Sequence, residues 1–541
     1  MTRRIYAFFV CGLMLVLAQV RESLRPSFAA EIELVTRDTR SGRVVPSRVY
    51  LFKDNRPFRL DPVESLLAFR VDTFYRDVLW RRVAAPVSLE VTARDQSHVI
   101  LLNGQASFDL PAGKYRIEAY RGTFYAPAIQ EFELRAAEKR KISLDLTPLK
   151  SRDDWIAGDD HIHIVRHRED DPVFLAWLAA EDLAVGNFLQ LQRQQDAALQ
   201  YGFGDRAEAR RSGFTIRSGI EARSDFYGHV NLLGPREILR PLSIGSVYAN
   251  SPEAYPFPMV LFERGRKLGA TVGYAHVDGS QKNSTLLMDV ALGAIDFVEV
   301  FQFGVLKTEQ WYELLNAGFR VTGIAGSDFP VPLNRGAWPR TLPLLGPERT
   351  LVKANPAGSL FDAWAAGVRA GQVVVSNGPL LNLTVNGRGP GAVLNSSGVL
   401  EGEASAEFHR PLETIEIVVN GKVEATQDAK GQREVRLPFR IAADGSAWVA
   451  ARVKSRSVEG EPVIQAHTNP VYVLRDNTPA VVGNAREALR AKWEEQAKFY
   501  RSSALIFARE QERAELLEKV DAALKVLSTA PRPINSQSIG R

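Results

Sequence analysis

Short β-prone runs at residues 31–35, 49–52, 87–91 and 142–146 are separated by turn-forming residues. The stretch from Asp109 through Pro111-Ala112-Gly113 to Ile117 reads as a turn feeding an alternating strand. Residues i and i+2 of a strand share one face, so residues 30–150 predict a small all-β unit, a β-sandwich whose apolar face is buried.

The rhythm changes between residues 151 and 375. A helical pattern over 256–268 is followed by an apolar strand over 270–275. Residues 286–292 precede a strand at 297–301, and a helix over 308–317, which Gly318 would terminate, precedes a strand at 320–325. Helix and strand alternating at short range predict a parallel α/β or barrel arrangement, in which reactive groups gather at the carboxyl ends of the strands. Residues 376–476 return to short β segments at 381–385, 414–419, 434–439 and 447–453, and predict a second sandwich. Over 477–530 a long helix is predicted, with Leu489, Trp493, Tyr500, Phe507, Leu517, Val520 and Leu524 forming one apolar stripe that packs on the body of the protein. Residues 531–541 read as a disordered tail. The fold class expected is multidomain α/β plus β.

With 541 residues the chain is too long for a single core, and 45% hydrophobic with 24% charged residues excludes large-scale disorder. At the N-terminus, Arg3 and Arg4 precede an apolar run over 5–20, and Ser27-Phe28-Ala29 supplies a small-x-small pattern. This predicts a signal peptide over residues 1–29, cleaved to a periplasmic or secreted product; an uncleaved anchor is disfavoured because the run is short for a spanning helix. The same segment carries Arg3, Arg4, Arg21 and Arg25 against Glu22, so most of the formal +5 resides there, and the charge left on the mature chain argues against a nucleic-acid partner. The single cysteine, Cys11, also lies in it, which leaves no thiolate ligand or disulfide in the mature chain. Any metal must then sit on histidine and carboxylate.

Four of the eight histidines fall at predicted strand ends in the central segment, each beside a turn signal. Gly158-Asp159-Asp160-His161-Ile162-His163 places two imidazoles side by side, because alternate strand residues face the same way. Glu221 follows a β-prone run, and a carboxylate can bridge two cations. His229 sits in Gly228-His229-Val230-Asn231-Leu232-Leu233-Gly234, and His276 ends the strand Val272-Gly273-Tyr274-Ala275. Gly323-Ile324-Ala325-Gly326-Ser327-Asp328 ends an apolar strand in a carboxylate, which packing does not explain because a buried carboxylate needs compensation. Taken singly, His276 fits a satisfied core histidine and Glu221 a surface charge; it is the combination that points to a metal.

In this order the motifs resemble those of the polymerase-and-histidinol-phosphatase superfamily, most closely its branch of metallohydrolases related to carbaryl hydrolase, over roughly residues 155–475. The N-terminal segment is similar, with low specificity, to carboxypeptidase-regulatory-like domains. The resemblance implies a central distorted (β/α) barrel flanked by the two sandwiches. It implies that His161, His163, Glu221 and Asp328 hold a first divalent metal, and that Glu221 as bridge, His229 and His276 hold a second, the cofactor being one or two ions of Zn, Mn or Fe. Two family positions differ: an Asp-His pair is replaced by Asn187-Phe188, and a final Asp-x-His by Asp328-Phe329-Pro330. Both missing histidines serve a third metal in trinuclear relatives, so that site is lost and the other two remain complete. His167 does not clearly fit the lost site.

The function expected is hydrolysis of an ester or carbamate-type bond in a small-molecule substrate by metal-activated water, with Asp159, Asp160 and Tyr274 as the sequence neighbours expected to orient water or substrate. No Gly-x-Ser-x-Gly elbow lies near the histidines and no glycine-rich phosphate loop occurs. The rivals are a phosphoesterase, with Arg217, Arg223 and Lys282 near the motifs, and a non-catalytic secreted binding protein in which the lost third site marks decay of activity. No stable membrane insertion is expected after leader cleavage, and the oligomeric state is left open. The signal-peptide reading predicts an exported product shortened by about 29 residues; the intact mass of the exported chain checks it, and a full-length cytoplasmic product would refute it.

Overall fold

The computed structural model describes residues 29–60, 65–70, 85–93, 96–192, 197–224, 226–244, 254–277, 283–330, 339–354, 358–395 and 398–531. The expected leader and tail, apart from residues 29 and 531, lie outside the described residues, as does Lys282. The protein is mixed α/β, dominated by strands in several sheets, with seven α-helices among the described residues. No helix among them is long and apolar enough to cross a membrane.

At the N-terminal end the strands Gln105–Leu110, Ala30–Asp38, Lys139–Pro148 and Tyr125–Ala126 form one sheet, and a second is built around Gly113–Tyr120, Ser47–Lys53, Gln96–Leu101 and Ser88–Ala93. The alternation seen in Gln105–Leu110, exposed and buried in turn, is the one-sided burial that period-two sequence encodes. Ile32, Leu34, Val49, Leu51, Ile117 and Leu144 from the two sheets meet in one core.

The central sheet begins with three parallel strands, Trp155–Ile162, Val185–Gln192 and Phe214–Ser224. Gly228–Leu233 then runs antiparallel between Phe214–Ser224 and Thr271–Tyr274. Thr271–Tyr274, Phe297–Gln302 and Thr322–Ala325 complete a parallel set. Every residue of Trp155–Ile162 and of Phe297–Gln302 is buried, as expected for strands covered on both faces. The helix Asp171–Ala180 is apolar nearly all round and buried along its length, so it lies inside the molecule. His161 and His163, Glu221, His276 and Asp328 all lie at the carboxyl ends of parallel strands. The reversed strand brings His229 to the same end by pairing it with Arg223.

Two features differ from the sequence expectation. The segment after residue 477 is not one long helix but two, Ala485–Arg501 and Glu510–Ser528, folded back on each other. Leu489, Trp493, Ala497 and Tyr500 of the first share a core with Leu516, Val520, Ala523 and Leu527 of the second and with Met288, Trp311 and Leu314 of the body, so the apolar stripe packs both on itself and on the body of the protein, as expected. The break falls at Ser502, whose backbone is extended, and Arg513 donates to the carbonyls of Ser502 and Leu505 that the break leaves without helical partners. The second difference is continuity. Val373–Ser376 pairs with Arg349–Lys353 on one side and with Gln465–Thr468 on the other, so the sheet runs through the boundary expected at 375/376 without interruption. A smaller sheet of Leu380–Val385, Gly398–Glu407 and Glu434–Ala443 completes the C-terminal region.

Trp493 is fully buried and its indole N–H donates to the carbonyl of Val520 across the helix pair at 3.2 Å. Trp493→Ala should cost about 3–5 kcal/mol, read as a lowered urea midpoint; an unchanged midpoint would show that the helix pair does not depend on this contact.

Candidate metal centre

The first strand reaches the site through a ladder with the turn that carries Asp328. His163 N–H donates to the carbonyl of Phe329 at 2.8 Å, and Phe329 N–H donates to that of His161 at 3.1 Å. Beneath this ladder the Asp159 carboxylate accepts from Ser327 N–H at 3.0 Å, Ser327 Oγ at 2.6 Å, Gly346 N–H at 3.0 Å and His161 N–H at 3.0 Å. Gly326 permits the approach: a Cβ there would stand 2.2 Å from Asp160 Oδ1 and 2.9 Å from the Cβ of His161.

Donor atoms from three strands then converge. His161 Nε2 lies 3.1 Å from His163 Nε2, 3.3 Å from Asp328 Oδ1 and 3.6 Å from Glu221 Oε1. His163 Nε2 lies 3.4 Å from Asp328 Oδ1 and 3.2 Å from Glu221 Oε2. A tetrahedral site with arms of about 2.0–2.1 Å has edges of roughly 3.3–3.4 Å, so the separations among His161, His163 and Asp328 suit three ligands of one small cation, with Glu221 beside them. The imidazole faces are set from behind. His161 Nδ1 is 2.7 Å from Glu299 Oε1 and His163 Nδ1 is 3.3 Å from the carbonyl of Leu189. Carboxylate and carbonyl only accept, so each Nδ1 carries a proton and each Nε2 is the nitrogen turned toward the cluster.

Glu221, His229 and His276 form a second group able to hold a metal ion. His229 Nδ1 is 3.0 Å from Glu221 Oε1, and the His229 and His276 rings lie 5.5 Å apart between centroids. His276 Nδ1 faces the Gln302 amide oxygen at 2.5 Å, which turns its Nε2 outward. His276 and Asp328 adopt left-handed backbone, with φ of 61° and 48°. This conformation is uncommon for side chains of their kind and re-aims a residue just past a strand end. His161, His163, Glu221 and Asp328 are buried, whereas the His229 and His276 side chains keep 17% and 14% exposure, so the second group faces the outside.

The residues fit a bound cation on charge as well as on distance. Asp159, Asp160, Glu221, Glu299, Asp328 and Glu348 are all buried, against the guanidinium of Arg223, which donates to Glu221 Oε2 at 2.7 Å, and that of Arg349, whose charge acts on Asp159 and Glu348. Burial opposes ionisation of Asp328, yet His161 and His163 beside it hold its carboxyl down to about 2. Glu221 is held well below the carboxylate range, against burial, by Arg223 and His229. His161 is drawn well above the imidazole range by Glu299 and Asp328 despite burial, so the position attracts positive charge. Burial pushes His229 down to about 4, which keeps its ring neutral and able to coordinate. Asp328 Oδ1, Glu221 Oε1 and His229 Nδ1 make no hydrogen bond in the described structure, although buried polar atoms normally do; the short His229–Glu221 approach is an ion-pair contact rather than a hydrogen bond.

The six expected ligands are thus brought together as two groups, and the three expected orienting residues are not placed as the sequence suggested. Asp159 spends both oxygens on the hydrogen bonds described above. Asp160 is buried behind the cluster; burial first and Glu299 next raise its carboxyl well above the usual range, and Asn231 donates to it at 3.4 Å. Tyr274 hydrogen-bonds Asp289 at 2.5 Å and Thr285 at 3.0 Å and contacts none of the six ligands. The φ reversal at His276 separates the two side chains that simple strand alternation would have put on one face. His167 is exposed, and Arg217 is occupied by Asp205 and Glu208. Sequence reasoning missed Glu299 and Gln302, and named Asn231 and Arg223 near the motifs without placing them against the candidate ligands. For Glu299 a signal existed, a lone carboxylate inside the apolar strand Phe297–Gln302.

No family model matches this chain, and no curated protein matches it. Among solved structures, a variant of the shaft pilin spaA from Lactobacillus rhamnosus GG is similar over 22% of this chain at 12% identity, with a TM-score of 0.15; the chain spans 46% of that protein's length. A likeness at that score carries no inference.

Glu348 gives the centre a measurable pH signature. Burial pushes its carboxyl up to about 8, against the hydrogen bond it accepts from Gly304 N–H at 2.6 Å. The folded chain keeps this proton while the unfolded chain releases it near pH 4.3, so stability is full below that pH and is lost as pH rises through about 8. Glu348→Gln should flatten the fall in unfolding free energy between pH 5 and pH 8 by a few kcal/mol; urea titrations at both pH values check it, and equal slopes in the two proteins would refute it.

Proposed function

We propose that this chain is an exported, metal-dependent hydrolase that cleaves an ester or carbamate-type bond, related to the carbaryl-hydrolase branch of the polymerase-and-histidinol-phosphatase superfamily, with its central sheet a distorted member of that barrel class. The observation that carries the reading is the set of donor separations around His161, His163, Asp328 and Glu221, all between 3.1 and 3.6 Å, beside a second group that shares Glu221.

The two groups divide the work. The first, His161, His163 and Asp328 with Glu221 beside them, is buried, as structural metal positions are. The second offers three and is partly open, the arrangement that leaves a place for water and substrate. A divalent cation held there would supply Lewis acidity and bring the ionisation of water near neutral pH. Glu221 holds both positions together and is itself held by Arg223. Glu299 and Gln302 orient His161 and His276, and the buried shell of Ile162, Phe329 and Ala325 keeps bulk water away from the first position.

The test is metal analysis of gently purified protein together with turnover of a panel of aryl esters, carbamates and phosphoesters, with and without chelator. One to two equivalents of Zn, Mn or Fe and chelator-sensitive hydrolysis of esters or carbamates are expected. Glu221→Ala should abolish both occupancy and turnover. His276→Ala should empty mainly the second position and Asp328→Ala mainly the first, each beyond the roughly 10–100-fold loss typical of outer-shell changes. His167→Ala should be mild. Phosphoesters as sole substrates would make the chain a phosphoesterase, and failure to take up metal would make it a binding protein.

A further inference from the structure

Glu299 is one carboxylate divided between the two candidate positions. Its Oε1 accepts from His161 Nδ1 at 2.7 Å and so sets the ring whose Nε2 faces the first group. Its Oε2 accepts from the backbone N–H of His276, a residue of the second group, at 2.9 Å. Gln302 closes the loop: its amide nitrogen donates to Glu299 Oε2 at 3.2 Å while its oxygen faces His276 Nδ1 at 2.5 Å. Asn231 donates to Oε1 at 3.2 Å. Glu299 is 2% exposed, so no water takes over either bond when it breaks. The His161 ring cannot turn without breaking its bond to Glu299, while the same carboxylate holds the His276 backbone and, through Gln302, its ring.

We propose that Glu299 is a positioning residue that couples the two metal positions, so that a cation in the first raises the affinity of the second. The inference rests on the metal-centre reading above. Its physical basis is shared ordering. The first cation fixes the His161 ring and with it the Glu299 carboxylate, so His276 is already held in its left-handed turn when the second cation arrives. The effect is reciprocal, because coupling between two binding equilibria must be. It opposes the mutual repulsion of two cations that share Glu221.

The experiment is calorimetric titration of Zn²⁺, and separately Mn²⁺, into the chelator-stripped full chain, comparing the wild type with Glu299→Gln and Glu299→Asp. The glutamine keeps one acceptor oxygen and replaces the other by a donor, which cannot accept from either His161 or His276. The aspartate keeps both oxygens but is one methylene shorter, too short to span both partners. The wild type should take two equivalents, the second at least as tightly as the first. In each variant with an unchanged melt, the second equivalent should weaken by about 10–100-fold relative to the first. Gln302→Ala, which leaves the charge of Glu299 in place, should weaken the second equivalent about tenfold and spare the first; it decides the matter if the Glu299 variants do not fold. Two affinities that shift together, or not at all, would overturn the coupling while leaving the metal centre standing. A wild-type chain that binds neither ion would overturn the metal-centre reading and the coupling with it.

Discussion

The carboxylate of Asp159 joins three segments that are far apart in the chain. It accepts from the backbone of His161, from the backbone and hydroxyl of Ser327, and from the backbone of Gly346. The end of the first strand and the turn after Thr322–Ala325 are therefore held against each other, and His161, His163 and Asp328 come within coordinating distance. A buried carboxylate without such donors would be expensive. With four of them Asp159 remains raised only to about 6, burial acting against its hydrogen bonds to Ser327 and His161. The first group hangs on this junction, because His161 is itself one of the donors and Asp328 follows another, Ser327.

The strain in the centre is local and is held from outside it. His276 and Asp328 take positive φ immediately after parallel strands whose residues are buried on both faces. Glu299 grips the His276 backbone from within the sheet, and the Phe329 bonds to the first strand grip the turn of Asp328. Such conformations cost of order 1–3 kcal/mol each and persist only where surrounding contacts over-determine them. Here those contacts are hydrogen bonds from neighbouring strands of the same sheet.

The outer parts of the protein stiffen this frame. One apolar core unites the N-terminal sheets with Trp177 and Leu178 of the internal helix and with Leu383 and Phe439 near the C-terminus. A second unites Val272, Phe297 and Trp311 of the central sheet with Trp493 and Val520 of the terminal helix pair. Arg48 and Glu181, both fully buried and 3.0 Å apart, tie the N-terminal sheets to the end of the internal helix. A buried pair of this kind costs heavily if one partner is removed, so it specifies how the two regions meet more than it stabilises them.

What the sequence by itself determined was local. Period-two alternation marked the strands, the apolar stripe marked the terminal helices, and histidines and carboxylates at strand ends marked the residues that the structure gathers into two groups. All of these depend on neighbours a few positions apart, where backbone geometry alone dictates which side chains share a face. What only the tertiary structure decided depends on separation in sequence or on backbone reversal. Glu299 meets His161 across 138 residues, and no local pattern can encode that pairing. Tyr274 was expected beside His276, but a single positive φ sent the two side chains to different sides of the sheet. The expected long terminal helix is two helices whose apolar faces share a core with each other and with the central sheet, and the continuity of the sheet past residue 376 came from hydrogen bonds to Gln465–Thr468, some ninety positions further on. Local physics marked the candidate residues; long-range hydrogen bonding and burial brought them together.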